Sequence, residues 1–161
     1  MAHVQGYDAT LEVVSAAIDE AGDGGPAIAA AVHALKQQMP GYTWVGVYLL
    51  DGNELVLGPF LGKPSPHARI PLGRGICGAA ATEKTTIIVD DVNADSRYLA
   101  CSIETRSEIV VPIMLGTEVL GEIDIDSDRL AAFGQDDKTL LESIAQRLAP
   151  HLKAADRTEP M

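Results

Sequence analysis

Two β-hairpin patterns in the middle of the chain restrict its fold more than any other feature of the sequence. In the first, residues 43–50 and 54–60 are rich in apolar and β-branched side chains and flank a turn that contains Gly52. In the second, residues 108–115 lead through a short turn into residues 118–126. Strands joined by such short turns pair antiparallel, so the sequence predicts a mostly antiparallel sheet.

Helical patterns lie on both sides of these hairpins. Residues 9–21 carry apolar side chains at helical spacing. A second helix is predicted to open at Pro26 and to end before Pro40. A third is predicted over residues 135–153, where Pro150 is expected to kink or end it.

These elements predict an α+β fold, with a central antiparallel β-sheet flanked by N-terminal and C-terminal helices that cover one of its faces. The length of 161 residues corresponds to a single domain, 1–161. Within it, residues 1–40 would form the N-terminal helices, 42–126 the sheet and its pocket loops, and 135–153 the C-terminal helix.

Charge and composition narrow the class of protein. The chain has 12 Lys and Arg against 23 Asp and Glu, a formal net charge of −11, which opposes binding to nucleic acid or to anionic lipid surfaces. The sequence also lacks a secretory signal pattern and an apolar run of the ~20 residues that cross a bilayer. We therefore expect a cytoplasmic protein without nucleic-acid or membrane partners.

The two cysteines, Cys77 and Cys101, are either packing residues or chemical groups, because a lone pair in a reducing compartment is seldom a structural disulfide. Residues 73–78 match the letters of a dinucleotide-binding loop but lack the strand that should precede it, so a turn into a short helix is favoured. Cys77 would then lie in the first helical turn, where the helix dipole lowers a thiol pKa. Cys101 lies in a polar loop with Arg97 and Arg106 nearby in the sequence, a setting that favours a thiolate.

Acidic side chains alternate with isoleucine in the last predicted strand. Glu122, Asp124 and Asp126 should share one face of the sheet. They could form a solvated outer face, or line a cavity that holds a cation such as an ammonium group. Glu108 enters an apolar strand and is either an edge-strand charge or a functional acid. Trp44 and Tyr48 face the same way on the first strand, as core residues, as walls of an apolar pocket or as rings that lie over a cation.

Residues 42–148 resemble a GAF domain and, within that superfamily, are similar to the free methionine-(R)-sulfoxide reductases. The resemblance implies a GAF-like sheet, a small enclosed pocket and a homodimer. The matching motifs are Tyr42-Thr43-Trp44-Val45-Gly46-Val47-Tyr48, Leu57-Gly58-Pro59-Phe60-Leu61-Gly62-Lys63, Arg69-Ile70-Pro71, Gly73-Arg74-Gly75-Ile76-Cys77-Gly78, Ala100-Cys101, Ser107-Glu108-Ile109-Val110-Val111-Pro112 and Ile123-Asp124-Ile125-Asp126-Ser127.

The resemblance also implies roles for individual residues. Cys101 would be the nucleophile, Cys77 a redox partner, and Glu108 the acid that activates the sulfoxide oxygen. Attack would yield methionine and a cysteine sulfenic acid, which a second thiol converts to a disulfide for reduction by thioredoxin or a similar dithiol, without a bound cofactor. The substrate itself would be held by carboxylates and boxed at its methyl-sulfur end by aromatic rings, in a site formed by Glu108, Asp124, Asp126, Trp44 and Tyr48.

The sequence departs from the family pattern at one functional position. Members typically carry a third cysteine before the Arg69 motif, whereas this chain has Pro64-Ser65-Pro66-His67-Ala68 there. His67 could replace it on a pocket lid or be a simple loop histidine. No metal is expected, since His67 and the two cysteines lack ligand spacing. The alternatives are a non-catalytic GAF-type module that binds a small molecule and a redox sensor that forms a Cys77–Cys101 disulfide.

Overall fold

The computed structural model describes residues 2–98 and 104–158, and its helices and strands follow the predicted order closely. The elements are α1 (Ala2–Ala21), α2 (Gly25–Gln38), β1 (Trp44–Asp51), β2 (Glu54–Leu61), β3 (Arg69–Pro71), α3 (Gly75–Glu83), β4 (Ile87–Val89), a 3-10 turn (Val92–Ala94), β5 (Ser107–Leu115), β6 (Glu118–Ser127) and α4 (Gln135–Thr158).

The six strands form one sheet in the order β3-β2-β1-β6-β5-β4, and every neighbouring pair is antiparallel. Both predicted hairpins are present, as β1–β2 and β5–β6. The pairing of β1 with β6 joins the two hairpins side by side. The predicted α+β fold with a central antiparallel sheet is confirmed.

The sheet is covered on both faces, by different helices. On one face, alternate side chains such as Ile109, Ile123 and Ile125 pack with buried residues of α1, α2 and α4. On the other face, Tyr48 and Val110 belong to a second apolar cluster that includes most of α3. The terminal helices therefore cover one face as predicted, and α3 encloses the face that carries the acidic residues.

Three elements differ from the prediction. The short edge strand β3 was not predicted, because only three residues pair with β2 and Pro71 interrupts the pattern. Helix α4 continues through Pro150 to Thr158, so the expected end is wrong. Leu148 and Leu152 are both buried, and this packing on either side offsets the backbone hydrogen bond that proline removes.

Helix α1 begins at Ala2 rather than at residue 9. The early turns show weak apolar periodicity. They are attached to α4 by Tyr7, whose hydroxyl group donates a hydrogen bond to Asp137. Among the described residues, no helix combines the length and the apolar character needed to cross a bilayer.

Candidate functional site

The alternating acids of β6 lie inside the protein. Glu122, Asp124 and Asp126 are 0%, 3% and 3% exposed. The interpretation of these residues as a solvated outer face is therefore wrong. Their face of the sheet is the one covered by α3, and Asp126 lies beside the 63–65 and 104–105 segments on the same face.

Glu108 joins this group from the neighbouring strand. It is the register partner of Asp126, and its carboxyl group makes hydrogen bonds with both Asp124 and Asp126. The side chain is buried, at 5% exposure, and β4 pairs with the outer side of β5. Glu108 is thus not an edge-strand charge, and the alternative of a functional acid is the one that the geometry favours.

An irregularity in the second hairpin sets this register. Near the turn Leu115 pairs with Glu118, but the register shifts between Ile113 and Met114, beyond which Ile113 pairs with Gly121. Without that shift Glu108 would stand opposite Ile125 and point to the other face, because residues paired across antiparallel strands share a side. The bulge therefore brings the fourth carboxyl group to the acidic face.

Cys77 lies in the first turn of α3, as predicted, and points at the acidic face. Its sulfur atom and one carboxylate oxygen each from Glu108 and Asp124 all lie within 4.8 Å of one another. The start of α3 packs tightly on the preceding turn, since a Cβ atom on Gly78 would lie 2.9 Å from the backbone of Pro71 and Gly73. This close approach, possible for glycine, fixes the depth of Cys77.

The expected lowering of the Cys77 pKa is wrong. Burial raises the pKa of this thiol well above its usual value, and the negative charges of Asp124, Glu122 and Glu108 raise it further. The dipole of a helix of nine residues does not outweigh these effects. Cys77 is therefore a thiol at neutral pH, and it interacts with the carboxyl group of Asp124 as a hydrogen-bond donor.

Burial also raises the pKa of the acids themselves. It is the main cause for Glu122, Asp124 and Asp126, and the charge of Asp124 adds to the increase at Glu122 and Asp126. Hydrogen bonding with Glu108 opposes part of the increase at Asp124 and Asp126. Closely spaced carboxyl groups cannot all ionise, so the cluster retains protons under conditions where exposed acids have lost them.

A small cavity opens onto this cluster. Its volume is about 20 Å³, room for about one water molecule. Tyr48 closes one side by donating a hydrogen bond of 2.9 Å to the backbone carbonyl of His67, and the half-buried His67 contributes to the wall. The lining residues are Tyr48, His67, Ile70, Gly75, Ile76, Cys77, Glu108 and Asp124.

Trp44 lines a different cavity, of about 120 Å³. Its ring stacks on Phe60 at a centroid distance of 5.6 Å, and its indole nitrogen donates a hydrogen bond of 2.9 Å to the carbonyl of Lys63. Asp126 lines this second cavity and is hydrogen-bonded with Glu108, which lines the first. Trp44 and Tyr48 therefore share a face, as predicted, but stand in two cavities on either side of the Glu108–Asp126 pair.

Two features of this region had no signal in the sequence, a contact at the second cavity and the depth of Glu122. Lys63 and Glu104 form an ion pair of 2.6 Å across its rim, although they are 41 positions apart. Local periodicity cannot reveal such a pairing. Glu122 was placed on the correct face by alternation, but nothing in the pattern indicated that it is fully buried beside Cys77. The predicted nucleophile Cys101 lies outside the described residues.

Comparison with known proteins agrees with this arrangement. The model of the GAF domain family matches residues 26–152. The chain is 35% identical over 122 residues to the free methionine-R-sulfoxide reductase of Escherichia coli, an alignment that covers 76% of this chain and 73% of that protein. It is 43% identical over 118 residues to the enzyme of the same name from Saccharomyces cerevisiae, covering 71% and 65%.

A solved structure gives the same result at the level of the fold. The free methionine-R-sulfoxide reductase of Neisseria meningitidis, determined in complex with its substrate, superposes with a TM-score of 0.87 at 36% identity, covering 95% of this chain and 92% of that one.

Proposed function

The chain belongs to the GAF domain family and, within it, to the free methionine-R-sulfoxide reductases, and on this premise we propose that it reduces free L-methionine-(R)-sulfoxide to methionine at the expense of thiols. The observation that carries the proposal is the buried cluster of carboxyl groups beside a cavity, with Glu108 hydrogen-bonded to two further acids. A sulfoxide needs such a proton source, because its sulfur is a poor electrophile until its oxygen is protonated or hydrogen-bonded.

The first step consumes one thiol. The sulfur of Cys101 attacks the sulfoxide sulfur, Glu108 delivers a proton to the sulfoxide oxygen, and that oxygen passes to cysteine, giving Cys101 sulfenic acid and methionine. A second thiol then displaces water from the sulfenic acid and forms a disulfide. A dithiol reductant finally exchanges with this disulfide and restores Cys101.

The remaining predicted residues bind the substrate. Asp124 and Asp126 would hold the ammonium group and polar end of the amino acid, and burial supports this role because a charge pair is stronger away from water. Trp44 and Tyr48 would contact the methyl and methylene groups, and His67 would form part of the rim of the cavity. The two cavities on either side of the Glu108–Asp126 pair support a bound substrate that spans both.

Resolution by an external thiol is favoured over resolution by Cys77. A buried thiol with a raised pKa supplies little thiolate at neutral pH, and thiolate is the attacking species. We propose that a thioredoxin-like protein completes the cycle and that the enzyme needs no resident cofactor. We further propose that the chain acts as a single domain, as a homodimer and in the cytoplasm.

The test is formation of methionine by purified protein supplied with free methionine-(R)-sulfoxide and dithiothreitol or a thioredoxin system. We expect turnover of the R epimer, little of the S epimer, and none by the Cys101→Ser variant. Absence of turnover together with tight binding of methionine sulfoxide would contradict the proposal and identify a non-catalytic ligand-binding module instead.

A further inference from the structure

The thiol and two of the carboxyl groups at the first cavity form a potential set of metal ligands. The sulfur of Cys77 and oxygens of Glu108 and Asp124 lie within 4.8 Å of one another. A tetrahedral zinc ion holds sulfur at about 2.3 Å and oxygen at about 2.0–2.2 Å, which separates its ligand atoms by roughly 3.3–3.8 Å. Contraction by roughly 1 Å, within the range of side-chain rotation, would thus bring the three donors to a common ion.

Glu122 supplies an independent indication of a bound cation. It is 0% exposed, and among the described residues neither of its carboxylate oxygens has a hydrogen-bond partner. The Cys77 thiol is a neighbour of this carboxyl group, so Glu122 lies beside the sulfur ligand. Native proteins seldom leave both oxygens of a buried carboxyl group unbonded, and such a group beside a ligand is typical of the outer sphere of a metal site.

The small volume of the cavity and its acidic lining favour a metal ion over a larger molecule. A volume of about 20 Å³ admits one ion with at most a water molecule. Neither Lys nor Arg is among the described residues that line it. A thiol beside carboxyl groups selects a thiophilic divalent ion such as Zn²⁺, since Mg²⁺ and Ca²⁺ need six or more oxygen ligands.

We propose that Cys77, Glu108 and Asp124 form a binding site for a thiophilic divalent cation, Zn²⁺ or its probe Cd²⁺, with Glu122 as the supporting carboxylate. Binding involves no change of oxidation state: the metal–sulfur bond replaces the sulfur–hydrogen bond of Cys77, and the displaced proton, with any proton shared by the acids, passes to solvent. If the proposed function holds, the ion occupies the carboxyl groups that receive the substrate, and it acts as a competitive inhibitor.

The test uses Cd²⁺, because a cadmium–thiolate bond gives an ultraviolet charge-transfer absorption that reports sulfur coordination directly. Metal-free Cys101→Ala protein, reduced with a phosphine rather than a thiol, is titrated with CdCl₂. We expect a saturable band at one ion per chain that disappears when Zn²⁺ is added. Cys77 is then the one cysteine in the chain, so a protein without a saturable band overturns the proposal.

Carboxylate variants in the same background identify the cavity. We expect Asp124→Asn to weaken Cd²⁺ binding by about tenfold or more, and Glu122→Gln by about tenfold, the range seen when metal ligands lose their supporting partners. The exposed Glu118→Gln variant on the same strand is the matched control and should bind as the parent does. If Glu122→Gln and Asp124→Asn, folded by circular dichroism, both bind like the parent, the proposed site is refuted.

Competition separates this proposal from the proposed function. Free methionine sulfoxide, which the Cys101→Ala protein cannot turn over, should raise the apparent dissociation constant of Cd²⁺ in proportion to its concentration. A saturable band that methionine sulfoxide leaves unchanged would support the metal site and contradict its overlap with the substrate. Turnover by the parent protein in the absence of metal remains the separate test of the enzyme activity.

Discussion

Glu108 stands directly opposite Asp126 across β5 and β6, and the two carboxyl groups share a hydrogen bond inside the protein. A hydrogen bond between two carboxyl groups requires a proton on one of them. Because the pair separates the two cavities, this proton is available to a ligand in either. The Glu108–Asp126 pair therefore supplies the acid for the proposed reaction.

Replacement of Glu108 by Gln should abolish most activity and preserve the fold. The amide keeps the shape of the side chain but cannot deliver a proton to a sulfoxide oxygen, so kcat should fall about 10²- to 10⁴-fold, the usual contribution of a general acid. Steady-state kinetics with free methionine-(R)-sulfoxide measure this. The Glu118→Gln variant, at an exposed site on β6, should retain the parent kcat. A Glu108→Gln enzyme with the parent kcat would remove Glu108 from the mechanism.

Cys77 should resist alkylation in the folded protein. The residue is 5% exposed, and burial and the neighbouring acids hold its pKa well above the usual value, so little thiolate exists at neutral pH. We expect iodoacetamide to modify Cys77 at least about tenfold more slowly in buffer than in urea, since each unit of pKa increase lowers the thiolate fraction by about that factor. Peptide mass spectrometry follows Cys77 and Cys101 in the same digest. Equal rates for Cys77 in both solvents would show that the thiol is accessible and ionised.

Much of this site could be predicted from the sequence, and the part that could not depends on the sheet register. Alternation in β6 is a local pattern, and it correctly assigned Glu122, Asp124 and Asp126 to one face. The face itself was ambiguous, because either side of an antiparallel sheet can be solvated, and the deciding element, α3, has a nearly uniform apolar composition without a clear polar side. The partnership of Glu108 with Asp126 was beyond reach, since it depends on the irregularity near Met114.

Removal of the indole donor of Trp44 should weaken substrate binding with a small effect on kcat. In Trp44→Phe the hydrogen bond to the carbonyl of Lys63 is lost, so the 63–65 segment that borders the second cavity is held less firmly to β1. A neutral hydrogen bond contributes about 1 kcal/mol, which corresponds to a rise in KM of about fivefold. Phe60→Leu removes the ring stack and keeps the donor, so it should raise KM less. The reverse order of the two KM values would contradict the assignment.

The buried carboxyl group of Glu122 should make the protein less stable as pH rises. Its pKa in the folded chain lies well above the value in the unfolded chain, so the folded state holds the proton more tightly. The associated stability is present below the unfolded pKa and is lost as pH rises through the folded pKa. Glu122→Gln has no such proton, so its stability should not show this loss. The free energy of unfolding of the variant minus that of the parent should therefore rise by more than about 1 kcal/mol between about pH 4 and pH 8. Urea unfolding in the presence of a chelator measures this, and a constant difference would contradict it.

The hydrogen bonds that two tyrosines donate to Asp137 should make the protein sensitive to alkali. Tyr42 and Tyr7 both donate to the same carboxylate oxygen, at 2.6 Å and 3.1 Å, and they join the start of α4 to the segment before β1 and to α1. Burial, followed by the charge and hydrogen bond of Asp137, raises the pKa of Tyr7 from 10.0 to about 12, and burial raises that of Tyr42 even further.

The folded state therefore holds both phenol protons more tightly than the unfolded chain does. The stability contributed by the tyrosines is complete below pH 10 and is lost as pH rises through 10 towards and beyond 12. Tyr42→Phe should lose about 1.5–3 kcal/mol at about pH 9, because a hydrogen bond to a charged acceptor is removed. By about pH 11 the parent has begun to lose the same contribution, so the gap between the two proteins should narrow. Fluorescence of Trp44, the single tryptophan, reports unfolding in urea at both pH values. A gap that stays constant or widens would show that the phenol of Tyr42 does not stabilise the fold through its proton.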